Sequence, residues 1–496
     1  MVTIPFGEFT PDLPDFANPG STIASGVQPF FTSYKPQPNL GTAMSTALTG
    51  RAQGAFSVTD TVEGASQTFV ADATKLYIVR DGGVTDVSKS GGYTVSVDQS
   101  VEFVAFNNKC VAASIENPLQ VYPLDNSVTL FADLATSTLR PKARHIGVVN
   151  QFIVLGNVDE GGTKYPNRLR WSALNDELDY DQSAATQSDF QDLEGDIGRI
   201  QRVVGGGEYG VIFSQNAIHR IEYIGSPEIF QVTWVEQNRG TIAPGSVVPW
   251  GRLTYFLSDD GFFVFDGSVT RPISHGKVSK WLFDNLSSAD FFYRITGAVD
   301  AKNSLIYWTV ITTNATGAFP NCDRIVLYHW PSGRWAYSDI TTEMVFTGLE
   351  SLSLEDLDGF STSIDTLTLS LDSQAFLGGK SRITAFDGSS TMKAFDGANI
   401  AATLETGEVQ LVPGRRAVCN GFTPLVDGGT LTGAVGSVER LNNALTFDSA
   451  NAQETTGHIP ALNSGRFHKF RTSIAASGTW THAQGVIPDA VDGGVF

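Results

Sequence analysis

The run Tyr209–Ser214 (YGVIFS), the break Gln215-Asn216-Ala217 (QNA) and the run Ile218–Tyr223 (IHRIEY) decide the fold. Two short blocks of β-branched and aromatic residues flank three residues of turn size, which reads as an antiparallel hairpin. The same grammar recurs on both sides. Gln67–Ala71 and Lys75–Val79 flank Asp72-Ala73-Thr74, and Tyr93–Val97, Val101–Asn107 and Lys109–Ile115 follow. The last two are broken at Asn107-Asn108, residues that tolerate left-handed backbone. His145–Val149 and Phe152–Leu155 flank Asn150-Gln151, and Thr254–Leu257 and Phe262–Phe265 flank Ser258-Asp259-Asp260-Gly261. Leu305–Val310, Arg324–His329 and Trp335–Tyr337 continue the series, with Pro331-Ser332-Gly333 as a turn.

Hairpins in succession with almost no helix between them exclude a parallel α/β sheet. Such a meander must protect its edges by closing on itself or by radial repetition, so the reading is all-β with a β-propeller core; stacked sandwiches are the competing answer. The phrases Val264-Phe265-Asp266-Gly267, Ala385-Phe386-Asp387-Gly388 and Ala394-Phe395-Asp396-Gly397 repeat a buried strand end running into a tight turn, at irregular period. One short amphipathic helix is expected at Lys277–Leu286, where Val278, Trp281, Leu282 and Asn285 have helical spacing.

Three regions follow. Residues 1–50 carry Pro5, Pro11, Pro14, Pro19, Pro29, Pro36 and Pro38 among scattered aromatics, which predicts an extended Pro-rich arm pinned wherever a ring finds a pocket. Residues 51–399 form the propeller core, with a loop-rich insertion over about 340–375. Residues 400–496 form a β-rich C-terminal region, either a separate sandwich or the closure of the ring, with strands expected at Glu408–Val412, Ala417–Phe422 and Arg466–Ala475.

At 496 residues, the chain exceeds the size of one compact core, which fits several domains or a core extended around a ring. Fifty glycines and 21 prolines supply turns, 32 phenylalanines supply apolar surface, and a charged fraction of 17% argues against broad disorder. The net charge of −19 argues against a module that grips nucleic acid through a basic face. It is compatible with a wall past which DNA slides. Met1 to Phe16 has acidic residues and no basic ones, unlike a secretory signal, and no apolar run suits a transmembrane helix.

No catalytic signature survives inspection. Gly205-Gly206-Gly207-Glu208-Tyr209-Gly210 satisfies GxGxxG, yet β-formers follow it where a phosphate-binding helix would have to start, so it reads as a turn or bulge. Ser258-Asp259-Asp260-Gly261-Phe262 lacks the residue between Asp and Gly that an Asp-box requires. GxSxG and HExxH are absent, and the seven histidines are scattered. Glu177, Asp179 and Asp181 crowd one stretch that could hold a divalent cation, but a solvated acidic loop is the plainer reading. Cys110, Cys322 and Cys419 are isolated, as buried thiols would be. Neither catalytic, cofactor-binding nor metal residues are assigned.

Longer strings carry a family likeness. Arg170-Trp171-Ser172, Asp179-Tyr180-Asp181, Ser188–Leu193, Val203–Tyr223, Arg239–Pro244, Tyr255–Ser258, Phe265–Gly267 and Pro272–Ser274 belong to it. With Pro11–Phe16 and Asn18–Gly20, they resemble the tail nozzle (tail tubular, packaged-DNA stabilisation) proteins of short-tailed bacteriophages. The likeness covers about residues 10–280 and continues thinly through Ala401, Thr403–Thr406 and Pro413–Arg416. It implies a structural, non-enzymatic virion protein: a β-propeller core, a homo-hexameric ring below the portal and its adaptor, tail fibre or hub partners, and a channel that retains and then conducts the viral genome. It also implies synthesis in the host bacterial cytoplasm and residence in the tail, with DNA passing without specific binding. Six copies would multiply the charge of −19, and negative charge facing the lumen would repel phosphates within roughly 8–10 Å of the wall. The arm is then expected to strap a neighbouring subunit or the adaptor. The alternatives are a receptor-binding, adhesin-like tail component, with an exposed aromatic cluster around Trp480 and His482, and more distantly a propeller glycosidase.

Overall fold

The computed structural model describes residues 3–494 except 17, 61–65, 81–82, 126, 135–136, 288, 351–379 and 442. Seven antiparallel sheets succeed one another along the chain, over residues 54–86, 102–133, 142–192, 200–237, 248–272, 297–338 and 342–394. In the first six, four consecutive strands pair in simple up-and-down order. The leading strands Gly54–Thr59, Glu102–Phe106, Lys142–Val149 and Ile200–Val204 touch in sequence; Val248–Trp250, Gly297–Asp300 and Thr342–Glu350 do likewise. Thr342–Glu350 then meets Gly54–Thr59, which closes the ring. The fold is a β-propeller with these leading strands around the axis.

Side-chain alternation explains why the strands are apolar on both faces. In Ser66–Ala71, Phe69 and Ala71 pack toward blade two, and Val70 packs toward blade seven. In Lys109–Ala113, Cys110 and Ala112 face blade one while Val111 and Ala113 face blade three. In Phe152–Glu160, Phe152 and Val154 face blade four while Ile153 and Leu155 face blade two. Period-two alternation inside a blade therefore serves two seams at once, and each buried Phe or Leu contributes about 1.5–3 kcal/mol.

Two sheets pack as a sandwich beyond the ring, built from both ends of the chain. One contains Ala417–Val426, Ile459–Gly465 and Ala483–Asp492 together with the arm strands Ile4–Pro5, Val27–Phe30 and Ser33–Pro36. The other contains Ala402–Thr406, Leu431–Val438 and Phe467–Ile474. The arm strand Ser21–Ser25 joins this second sheet to the outer strand of blade six, lying antiparallel to Ala402–Thr406 and meeting Arg334–Ser338 in parallel at Ser25 and Tyr337. The C-terminal region is thus a sandwich, not the closure of the ring, and blade six is continuous with it.

The arm packs on its own chain at several points. Phe6, Phe9 and Tyr34 are buried in the core shared by blades five and six and the sandwich. Further along, residues 39–48 run antiparallel beside Met392–Ala394 in the position of a fourth strand on three-stranded blade seven. Gly41 N–H donates to Ala394 O at 2.9 Å, Met44 N–H to Met392 O at 2.8 Å, and Leu48 N–H to Ser390 O at 3.0 Å. The ring is thereby latched by its N-terminal segment. Phe6, Phe9 and Tyr34 thus fill pockets on their own chain.

Other expectations change in detail. The insertion expected over about 340–375 is a strand up to Glu350, whose alternate side chains face blade one; 351–379 lie outside the described residues. Tyr93–Val97 is not a strand, because Tyr93 and Val95 donate their amides to Thr74 O and Ala73 O in a loop. Glu408–Val412 makes only isolated bridges, Phe16 to Glu408 and Val409 to His468. The helix spans Ser279–Asn285, inside the expected range. The irregular Phe-Asp-Gly period has a cause: Asp266 accepts Ser268 and Val269 amides between the third and fourth strands of blade five, while Asp387 accepts Ser389 and Thr391 amides between the second and third of blade seven. Among the described residues, no helix is long and apolar enough to cross a membrane.

Candidate functional site

The structure separates the acidic trio. Glu177 is buried and binds Lys109 and Asn107, Asp179 accepts the Asp181 amide at 2.9 Å, and Asp181 accepts the Thr138 and Leu139 amides at 2.9 and 2.8 Å. Each carboxylate is used locally, and among the described residues no cluster suited to a metal ion forms. The glycine run lies between Ile200–Val204 and Tyr209–Ser214, with a Cβ on Gly205 only 2.2 Å from Val148 O. Asp259-Asp260 is the tip of a two-residue hairpin turn, Ser258 pairing with Gly261. Trp480 is buried in the sandwich, so the exposed aromatic cluster expected of an adhesin is not formed there; His482 Nδ1 lies 2.9 Å from Ser33 Oγ.

Several of the histidines are deeply buried. His219 and His468 are 2% and 0% exposed, and burial pulls each ring's pKa down to about 4. The three cysteines are buried and free, and burial raises their thiol pKa values. They are poor nucleophiles for that reason.

What sequence reading missed is a cavity of about 200 Å³ on the propeller axis, walled by the leading strands and the segments that enter them. Four arginines reach it from different blades: Arg51 before Gly54–Thr59, Arg144 within Lys142–Val149, Arg202 within Ile200–Val204, and Arg294 just before Gly297–Asp300. Against them stand Glu102, Glu343 and the exposed Asp98. Glu102 is fully engaged, since His145 Nδ1 lies 2.9 Å from Oε1, Arg202 Nη1 donates to Oε1 at 2.5 Å, and Ile146 N–H donates to Oε2 at 3.1 Å. Burial alone would raise its carboxyl pKa, but Arg202 and His145 hold it below the usual value. Glu343 accepts the Ala52 amide at 2.9 Å and the Ser390 hydroxyl at 2.8 Å, and burial raises its pKa.

The arginines are less well served. Arg51 donates to Val97 O at 2.8 Å, and burial followed by the nearby Arg294 charge lowers its pKa to about 10. Burial and Arg199 lower that of Arg144, whose Nε has no partner. Arg294 is 2% exposed, with one long contact from Nη2 to Asn321 Oδ1 at 3.3 Å; its Nε and Nη1 have none. The sequence signal would have been an arginine at or near the start of four of the seven sheets.

No family model and no curated protein matches the chain. Among solved structures, the chain is similar to BBS1N, solved in complex with ARL6DN, with a TM-score of 0.39 and 9% identity over 74% of this chain and 97% of that one. It is also similar to a chain of a mitotic checkpoint complex, with a TM-score of 0.37 and 9% identity over 71% of this chain and 95% of that one. A computationally designed protein gives a TM-score of 0.35 and 8% identity over 71% of this chain and 99% of its own. The propeller assignment stands on the strand pairing and ring closure described above.

Proposed function

We propose that the protein is a structural tail component of the nozzle type, assembling as a six-fold ring that retains and then conducts viral DNA. The observation that carries the reading is the set of strings shared in style with nozzle proteins over residues 10–280. The fold gives those strings a physical reason to exist, because they occupy scaffold positions. The Asp12 carboxylate accepts the Lys280 and Trp281 amides at 2.8 and 2.7 Å, tying the arm to the first turn of the helix. Arg170 is buried and pairs with Glu160 at 2.5 Å, and the buried Ser172 hydroxyl accepts the Ile153 amide at 3.1 Å. Thr241 donates its hydroxyl to Leu257 O at 2.8 Å and thereby positions the crossing from blade four to blade five.

In this reading the portal adaptor lies above the ring, tail fibre or hub proteins lie beside or below it, and no bond-breaking chemistry is assigned. Negative-stain imaging of the purified protein, and of virions labelled at its C-terminus, tests the proposal. A six-fold ring on the tail axis is the expected image. Peripheral spikes, or a compact monomer that cleaves glycans, would replace the nozzle by the adhesin or the glycosidase.

A further inference from the structure

We propose that the axial cavity of the propeller is an anion-binding site that takes a compact phosphate-class oxyanion between Arg294, Arg51 and Arg144. Two independent observations carry this. The first is the orphaned guanidinium: Arg294 is 2% exposed, yet Nε and Nη1 have no hydrogen-bond partner and no carboxylate pairs with it among the described residues. A buried cation with unfilled donors is costly unless something satisfies it. The second is the clustering itself, since Arg51, Arg144, Arg202 and Arg294 converge on one cavity in a chain whose net charge is −19.

The carboxylates present neutralise this cluster only in part: Glu343 attracts Arg51 and Arg294 across the cavity, but its oxygens are taken up by Ala52 and Ser390. Glu102 is committed to His145, Ile146 and Arg202, and Glu343 to Ala52 and Ser390. Both are held by backbone amides as well as side chains, so neither can turn to Arg294 without leaving an amide unpaired. Among the described residues lining the cavity, the remaining acid, Asp98, is exposed. The ligand class follows from the donors. Guanidinium groups match oxyanions in pairs of parallel N–H bonds, and phosphate presents several acceptor oxygens to arginines arriving from different directions. The space, about 200 Å³, is many times the roughly 10–15 Å³ that a single water needs. It suits a phosphate group with some water and is far too small for a nucleic-acid duplex, so this site is distinct from any channel between subunits. An occupied site would tie blades one, three and six together at the axis.

The test is calorimetric titration of the full-length protein with inorganic phosphate and with pyrophosphate, against sodium chloride at matched ionic strength. Saturable binding of either oxyanion, absent with chloride, is expected. Arg144→Gln and Arg51→Gln, both at half-buried positions that tolerate a neutral side chain, should each weaken it about tenfold or more, because one charge-assisted bond pair is lost. Arg294→Gln should abolish it; if that variant does not fold, the other two decide. Binding by pyrophosphate but not by phosphate supports a phosphoryl group carried on a larger molecule, and the reverse supports the free ion. No saturable heat with wild type, or unchanged affinity in both Arg51→Gln and Arg144→Gln, overturns the proposal.

Discussion

Arg334→Met should release the arm while leaving most of the ring intact. Arg334 opens the outer strand of blade six and is 6% exposed. Its Nη2 donates to Phe6 O at 2.8 Å and Gly7 O at 2.5 Å, and its Nη1 donates to Phe31 O at 2.8 Å. The guanidinium carbon also lies 4.5 Å from the centre of the Tyr34 ring. One side chain thus clamps two separated stretches of arm backbone. Three charge-assisted bonds at about 1.5–3 kcal/mol each give a raw loss of about 5–9 kcal/mol. Relief of the buried charge, which the arm meets with neutral carbonyl oxygens, offsets several kcal/mol of that. A net cost of about 2–4 kcal/mol remains, and it falls on local opening of the arm. Hydrogen exchange reads that directly: at 1.4 kcal/mol per tenfold, the Phe6, Thr10 and Ser21 amides should exchange roughly 30- to several-hundredfold faster. Ile153 and Ile212, in blades three and four, should keep their protection. Arg334→Lys should rescue only part of it, since an ammonium cannot fork to two carbonyl groups. Arm amides changed less than about threefold, or an equal change in every blade, would refute the clamp.

Three further outcomes are expected. Leu48→Ala, at the latch on blade seven beside Tyr77, Phe386 and Met392, should cost about 2–5 kcal/mol and raise exchange in Met392–Ala394 and Leu76–Arg80 before Tyr209–Ser214. His468 has no ring partner and a pKa pulled from 6.5 to about 4 by burial, so the folded state binds fewer protons than the unfolded one. Its contribution is intact above pH 6.5 and is lost as pH falls toward 4, by about 3 kcal/mol at most; His468→Leu should flatten that limb in urea melts at pH 7 and pH 5. Gly205→Ala should destabilise by about 1–3 kcal/mol because its Cβ would sit 2.2 Å from Val148 O, and tryptophan fluorescence of the wild type should not respond to millimolar dinucleotide.

The sequence is legible where structure is local. The hairpin at Tyr209–Tyr223 is found as a strand, a tight break and a strand, and Asn107, Asn108 and Asn150 take the positive φ values of 47°, 56° and 55° that their turns require. Long-range placement was not legible. Arm strand Ser21–Ser25 finds its neighbours at Ala402–Thr406 and Tyr337, and nothing in a proline-spaced, aromatic segment specifies partners so distant. Tyr93–Val97 fails for a related reason: its apolar residues are drawn into the seam between blades one and two, but its amides are taken by the Asp72–Lys75 turn, so burial occurs without a ladder. The axial arginines were invisible because each is one charge in an otherwise ordinary strand entry. Only the ring brings them together.

That convergence also alters what the acidity can mean. With a net charge of −19 and a cation-rich axis, the surplus of carboxylates must lie away from the axis, on the blades and the sandwich. In the proposed six-fold assembly a lumen between copies would be bounded by subunit exteriors, whereas each propeller axis lies within one subunit. Repulsion of DNA and capture of a small oxyanion are therefore spatially separable within one chain. Lysine substitutions on exposed blade carboxylates should alter genome ejection without touching phosphate binding, and Arg144→Gln should do the reverse. If either substitution moved both readouts, the two surfaces would be coupled, and the separation argued from the ring geometry would be lost.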